Sequence, residues 1–251
     1  MDKRTSWQGV AKKYSEEMGK EGDFYHQKVI LPNLLRLLGL NPRTRLLDLA
    51  CGEGILARSL PPIGEYLGLD AAFSLIDEAR KKDEGKNHFY GVADICKELP
   101  IRKSGFDRAV MVLSLQNLRQ PFKAIRNAAR QLKNGGKLVL VINHPSFRIP
   151  QNSGWGVDRV KNVQYRKIES YMSWKEILIE SNPFNRGQNI RTYSYHYPLS
   201  VYSEMIADNG FLIERIEEWV SPKKSEGVMA KVEDRARAEF PLFMAMVAKK
   251  V

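Results

Sequence analysis

The chain has 251 residues, 43% hydrophobic and 27% charged, with a formal net charge of +11. This is the composition of a folded globular chain, long enough for one α/β domain carrying an insertion. No apolar run reaches the ~18 to 20 residues of a membrane span, the N-terminus lacks a secretory signal, and two cysteines, Cys51 and Cys96, are too few for a disulfide framework and lack metal-ligand spacing. A reducing, cytoplasmic setting is therefore expected. The positive charge is spread through mixed clusters such as KKDEGK and SPKKSE, which reads as solvated basic surface before it reads as a nucleic-acid footprint.

In chain order, Trp7, Val10, Ala11 and Tyr14 recur at helical spacing. HQKVILPNLLRLLG predicts a second helix that Gly39 stops, with Pro32 kinking it or marking its start. RLLDLA (45–50) is a buried strand that runs into Gly52 and Gly54, and a helix follows over 53–60. EYLGLD is a second strand, FSLIDEARKK a helix, HFYGVAD a third strand and FDRAVMVLSL a fourth. PFKAIRNAARQLK is an amphipathic helix closed by Gly135 and Gly136, and KLVLVIN is a fifth strand. Such alternation implies a parallel sheet with helices on both faces. The rhythm breaks over 144–197, which is rich in aromatics, and resumes with LSVYSEMIADNG as helix and FLIERIEEWV as strand. A mixed-charge helix over 229–239 and a last apolar strand, PLFMAMVAKK, complete the chain. The divisions expected are 1–143 (helical cover and ligand-binding core), 144–197 (an insertion) and 198–251 (completion of the sheet).

The segment LLDLACGEGILA (46–57) carries the chemistry. Glycines after a parallel strand let a ligand lie against backbone at the carboxyl edge of the sheet. Gly52-x-Gly54-x-x-Ala57 also fits a dinucleotide fingerprint. Asp48 decides between them, because a carboxylate beside the glycines repels a pyrophosphate and attracts a sulfonium and an ammonium. Asp70 ends the second strand, where a carboxylate accepts from ribose hydroxyls. Asp94 follows the third, where it accepts from an adenine amino group. Singly, each acid is equally a helix cap or a turn residue. Three at successive strand ends point to S-adenosylmethionine.

LLDLACGEG, LGLDAAFSLIDEAR, GVADICKELPI and FDRAVMVLSLQNL resemble the four successive motifs of class I S-adenosylmethionine-dependent methyltransferases. The resemblance covers residues 24–145 well and 198–251 more loosely, and is strongest to small-molecule enzymes such as those of ubiquinone and menaquinone biosynthesis. It implies a Rossmann-like, seven-stranded, mostly parallel sheet whose last strand inserts antiparallel. It also implies a donor site: Asp48, Ala50, Gly52 and Gly54 around the methionine part, Asp70 and Ala71 at the ribose, Asp94 and Ile95 at the adenine, and Leu113 offering backbone to the amino group. Ala71-Ala72 departs from the family, which often has a serine there.

Methyl transfer needs alignment and exclusion of water, and a base only where the acceptor must lose a proton. SLQNL lacks the Pro-Pro-aromatic signature of base-amino methylation, and Cys96 sits on the wrong loop to be a cytosine-attacking nucleophile. No metal is expected. Phe147, Trp155, Tyr165, Tyr171, Trp174, Phe184, Tyr193, Tyr195 and Tyr197 fill the insertion, which is expected to be a lid forming an apolar, aromatic-lined acceptor pocket. His144 and His196 bracket it and are the candidate bases. Tyr25 and His26 are candidates for the donor pocket, with Tyr14 on a helical cover. The acceptor expected is a small, aromatic or quinone-like molecule methylated on oxygen or carbon. RNA is the alternative suggested by the charge and by RVKNVQYRK, and a binding or regulatory protein on the same fold is the second alternative.

Overall fold

The computed structural model describes residues 21–180 and 191–251; the expected first helix, Tyr14 and Phe184 lie outside them. A π-turn (His26–Ile30) runs into α1 (Leu31–Leu38). Pro32 stands at the start of the α-helical part, directly after the wider π-turn, and Gly39 closes the helix in the left-handed conformation at φ 54°. Then follow β1 (Arg45–Leu49), α2 (Ile55–Arg58), β2 (Glu65–Asp70), α3 (Phe73–Lys82), β3 (His88–Val92), β4 (Phe106–Val112), α4 (Pro121–Gln131) and β5 (Leu132–Asn143). Helix α2 is shorter than its sequence suggests, since Gly54 is left-handed and Ser59 already leaves the helix.

One seven-stranded sheet has the order β10-β11-β5-β4-β1-β2-β3, where β10 is Phe211–Trp219 and β11 is Phe243–Lys250. β1 through β5 pair in parallel, and β11 pairs antiparallel with both β5 and β10. The expected antiparallel last strand is thus present. β5 begins five residues earlier than KLVLVIN suggests, because it meets β4 first at Phe106–Leu132 and again at Arg108–Lys137. Gly135 at φ 75° sits within the register shift between. Buried layers lie on both faces: Leu46, Val110, Val139 and Ala245 under α1 and α2, and Leu47, Ala109, Leu140 and Met246 under α4 and α5 (Leu199–Ala207). Alternation along each strand produces this, as side chains point to opposite faces in turn.

The insertion folds as two antiparallel hairpins, β6 (Ser153–Asp158) with β7 (Val163–Ile168) and β8 (Lys175–Glu180) with β9 (Arg191–His196). Helix α6 (Ala230–Glu239) packs beside β7. Among the described residues no helix is long and apolar enough to cross a membrane.

Candidate active site

The carboxyl ends of β1, β2 and β4 and the loop after β3 converge on one cavity of about 670 Å³, within the range of small-ligand sites. Ala50, Gly52, Asp70, Ala71, Asp94, Ile95 and Leu113 all line it. Two non-glycine residues there hold positive φ, Ala50 (63°) after β1 and Leu113 (49°) after β4. Such conformations cost of order 1–3 kcal/mol and persist where a site over-determines them. Both mark places where the chain turns sharply off a strand end to line the cavity.

Asp70 is 9% exposed. Its two oxygens accept from the backbone N–H groups of Gly52 (3.0 Å) and Ala72 (2.8 Å). Burial pushes its pKa up, and the N–H groups of Ala72, Gly52 and Ala71 pull it back. The carboxylate therefore fixes the glycine loop while forming part of the cavity wall. An added Cβ on Gly52 would meet nothing within 4 Å, so the loop is open above that residue. Glu53, between the glycines and fully buried, is anchored by Lys82 at 2.6 Å and Arg58 at 3.5 Å.

Asp48 and Gly54 do not line the cavity. Asp48 lies beneath the loop, 2% exposed, and accepts the Tyr66 hydroxyl at 2.8 Å. Burial pushes its pKa up to about 7, with the Tyr66 hydrogen bond opposing and the Asp70 charge adding to the rise. Gly54, at φ 74°, packs against the Tyr90 hydroxyl, which would lie 2.7 Å from an added Cβ. Tyr90 in turn donates to Asp83, which also pairs with His88. A layer of Tyr66, Tyr90, Asp48 and Asp83 thus supports the glycine loop from below.

Neither histidine expected as a base lines the cavity. Asn143 does, and alternation turns the next residue to the other side of the sheet. There His144 Nε2 meets Glu218 at 2.6 Å and its ring lies 4.7 Å from that of Phe147. Burial lowers the His144 pKa against the pull of Glu218. His196 Nε2 donates to the Tyr171 carbonyl at 2.7 Å, and burial lowers its pKa too.

The aromatic lining is also corrected. Thr192 and Ser194 of β9 face the cavity, joined by Pro150 and Ile179. Period-two alternation then sends Tyr193 and Tyr195 to the opposite side, against the core of α4 and β5. Trp174 packs on Tyr197, Tyr171 on His196, and Phe147 and Trp155 on Phe240. None of the insertion's described aromatics lines the cavity.

The structure adds residues that the sequence did not single out. Ser114 and Gln116, just past β4, line the cavity and are buried, yet Ser114 Oγ and Gln116 Oε1 have no hydrogen-bond partner. Buried polar atoms are rarely left so, and both can be satisfied by a ligand. Gln116 Nε2 and Asn117 Nδ2 both donate to the Leu113 carbonyl, holding its left-handed turn. His26, expected at the donor pocket, does face the cavity, with Asp23 joined to it Oδ1 to Nδ1 at 2.8 Å, whereas Tyr25 does not line it. His26 opens the π-turn, and Gly22 at φ 84° leaves room for its side chain, whose Cβ an added Cβ would meet at 2.6 Å. Exposed Lys97 and Arg119 edge the cavity.

Residues 47–140 match the family model described as a methyltransferase domain. Over those residues the chain carries a methyltransferase domain, set in the fold of S-adenosylmethionine-dependent methyltransferases. A demethylmenaquinone methyltransferase from Staphylococcus aureus is 26% identical over 137 residues, 53% of this chain and 56% of that protein. The chain therefore matches the curated relative over only about half of that protein's length. Among solved structures, an S-adenosylmethionine-dependent methyltransferase from Mesorhizobium loti superposes with a TM-score of 0.69 at 23% identity, covering 92% of this chain and all of that one. Another from Clostridium acetobutylicum gives 0.61 at 18% identity, over 96% of this chain and 97% of the other. These likenesses concern the fold, and S-adenosylmethionine is the cofactor it implies. The cavity fits that group: Asp70 and Asp94 line it, Asp48 lies beneath the glycine loop, and Lys82 and Arg58 are tied to Glu53 between the glycines.

Proposed function

We propose that this methyltransferase moves a methyl group from S-adenosylmethionine to an oxygen or carbon of a small molecule. When bound, the cofactor supplies an electrophilic methyl on a sulfonium. The single observation that carries the reading is one cavity in which Asp70, Asp94, the orphaned Ser114 and Gln116, and a wall of the insertion all meet. Asp70 would hold the ribose hydroxyls with Ala71 beside it, Asp94 and Ile95 the adenine, and Ala50 and Gly52 the methionine part, with Leu113 near its amino group. Asp48 and Gly54 act from below, by setting the shape and charge of the loop.

Residues 144–197 serve as the lid that closes the acceptor side. Thr192, Ser194 and Asn143, with Ser114 and Gln116, make that wall polar, which suits an acceptor carrying hydroxyl or carbonyl groups, a quinone-like ring among them. The Staphylococcus aureus relative supports that class without establishing it. His26 takes the role of proton acceptor, since it reaches the cavity while Asp23 fixes its ring. Asp23 itself is held below the usual carboxylate range, where hydrogen bonds from His26 outweigh burial. Cys96 is no nucleophile, because burial pushes its thiol up to about 12.

The test is incubation of the full chain with methyl-labelled S-adenosylmethionine and two acceptor pools, a low-molecular-weight extract and total RNA. Label entering the small-molecule fraction supports the reading. Label entering only RNA, or no transfer to either, overturns it.

A further inference from the structure

The described residues expose eighteen large apolar side chains, and eight of them fall between Trp155 and Trp174. Six belong to the β6–β7 hairpin and its tip: Trp155, Val157, Val160, Val163, Tyr165 and Ile168. Single exposed apolar residues are ordinary, but a cluster on one projecting element marks a contact surface.

The tip is a built feature. Asp158 Oδ1 accepts from the backbone N–H groups of Val160 (3.0 Å) and Lys161 (2.9 Å), and Asn162 takes φ 52° to complete the turn. That geometry holds Val160 outward at 98% exposure, between Arg159 and Lys161. Residues 153–175 carry five basic side chains and two acidic ones, and one of those acids, Asp158, is spent on the turn. Beside the hairpin, a smaller cavity of about 230 Å³ between β7 and α6 is lined by Val163, Tyr165, Val232, Ala236 and Phe240, with Arg235 at its edge. Apolar surface thus continues behind the tip, next to a further cation.

We infer that the β6–β7 hairpin docks the protein on an anionic lipid surface, with Val160 and its apolar neighbours entering the interface and Arg159 and Lys161 at the headgroups. Trp and Tyr beside aliphatic residues, ringed by Lys and Arg, are the composition that partitions to that depth. A second copy of this chain is disfavoured, because a two-fold contact would set two basic hairpins against each other. RNA is disfavoured because the exposed apolar residues of the tip, Val157, Val160 and Val163, are aliphatic, and the Trp155 ring beside them is already taken up by Arg166 and Phe240. The inference is independent of the reaction proposed above.

The experiment is sedimentation of the full chain with extruded vesicles, either pure phosphatidylcholine or phosphatidylcholine with 30% phosphatidylglycerol. The chain is expected to pellet with the anionic vesicles at least tenfold more strongly, and to release at ~0.5 M salt as screening shortens the reach of the charges. Val160→Asp should weaken binding at least tenfold, and Lys161→Ala roughly fivefold, the loss of one cation near the surface. Both positions are exposed, so the variants should melt with the parent and bind S-adenosylhomocysteine with the same heat. Equal pelleting of parent and Val160→Asp, absence of pelleting with anionic vesicles, or a solution dimer that Val160→Asp dissociates would each overturn the inference. Calorimetry on the same preparations reports separately on the cofactor site.

Discussion

Asp70→Ala removes the group that joins the glycine loop to the cavity. Two losses follow from the geometry. The N–H groups of Gly52 and Ala72, now accepted at 3.0 and 2.8 Å, lose their acceptor in a wall that is largely buried. The ribose hydroxyls lose a charged acceptor, each such bond contributing ~1.5–3 kcal/mol. Taking the lower figure for two hydroxyls gives about 3 kcal/mol, or roughly a hundredfold in Kd at ~1.4 kcal/mol per decade. Loop loosening adds to this. The effect should fall on affinity first, since the proposed role of Asp70 is to hold the ribose and not the acceptor. Calorimetric titration of S-adenosylhomocysteine into parent and variant measures it, with far-UV circular dichroism and a thermal melt showing that the fold persists. Asp70→Asn, which keeps one carbonyl oxygen, should fall between the two. A variant that binds within threefold of the parent would refute the assignment of Asp70 to the ribose.

Tyr66→Phe strips the hydroxyl from buried Asp48 and should raise its pKa further above about 7. An acid whose folded pKa exceeds its unfolded value stabilises the fold least at high pH, because the unfolded chain gives up the proton first as pH rises from ~4 toward 7. Urea midpoints should therefore show the variant losing about 1.5–3 kcal/mol at pH 8 and less at pH 5; equal losses at both would show that Asp48 is not the group affected. His26→Asn should slow transfer to a hydroxyl acceptor about 10² to 10⁴-fold and flatten the pH–rate profile while leaving S-adenosylhomocysteine affinity within threefold; an unchanged profile removes His26 from proton transfer. Gly54→Ala combines φ 74° with a Cβ 2.7 Å from the Tyr90 hydroxyl. It should cost about 1–3 kcal/mol in a melt, and a variant as stable as the parent would contradict that packing.

Much of the sheet was legible because each strand end carried its own punctuation. Gly52 after β1, Asp70 closing β2, Asp94 after β3 and Gly39 closing α1 all state where the chain turns, and their spacing alone brings the first three to one edge. The departures come from information held only in three dimensions. Alternation gives two faces to every strand, but which face meets the cavity depends on register. For that reason Thr192 and Ser194 line it while Tyr193 and Tyr195 pack on the core. The same parity separates Asn143, in the wall, from His144, paired with Glu218. Asp48 was readable as an acid at a strand end, whereas its burial under the loop depends on Tyr66 arriving from β2. His26 was legible as a donor-pocket candidate, whereas its pairing with Asp23 depends on the π-turn and Gly22, which the sequence marks only by one glycine before an acid and a histidine. Ser114 and Gln116 could have been suspected from SLQNL, two polar residues directly after a buried strand, at the edge where Asp48 and Asp70 already pointed.

The account stands on what the crevice above Gly52 receives. A crystal structure with S-adenosylhomocysteine should show the ribose diol on Asp70, the adenine beside Asp94 and Ile95, and the sulfur turned toward the wall of Asn143, Ser194 and His26. An empty crevice at saturating ligand, or a dinucleotide diphosphate lying on the glycines in its place, would contradict it.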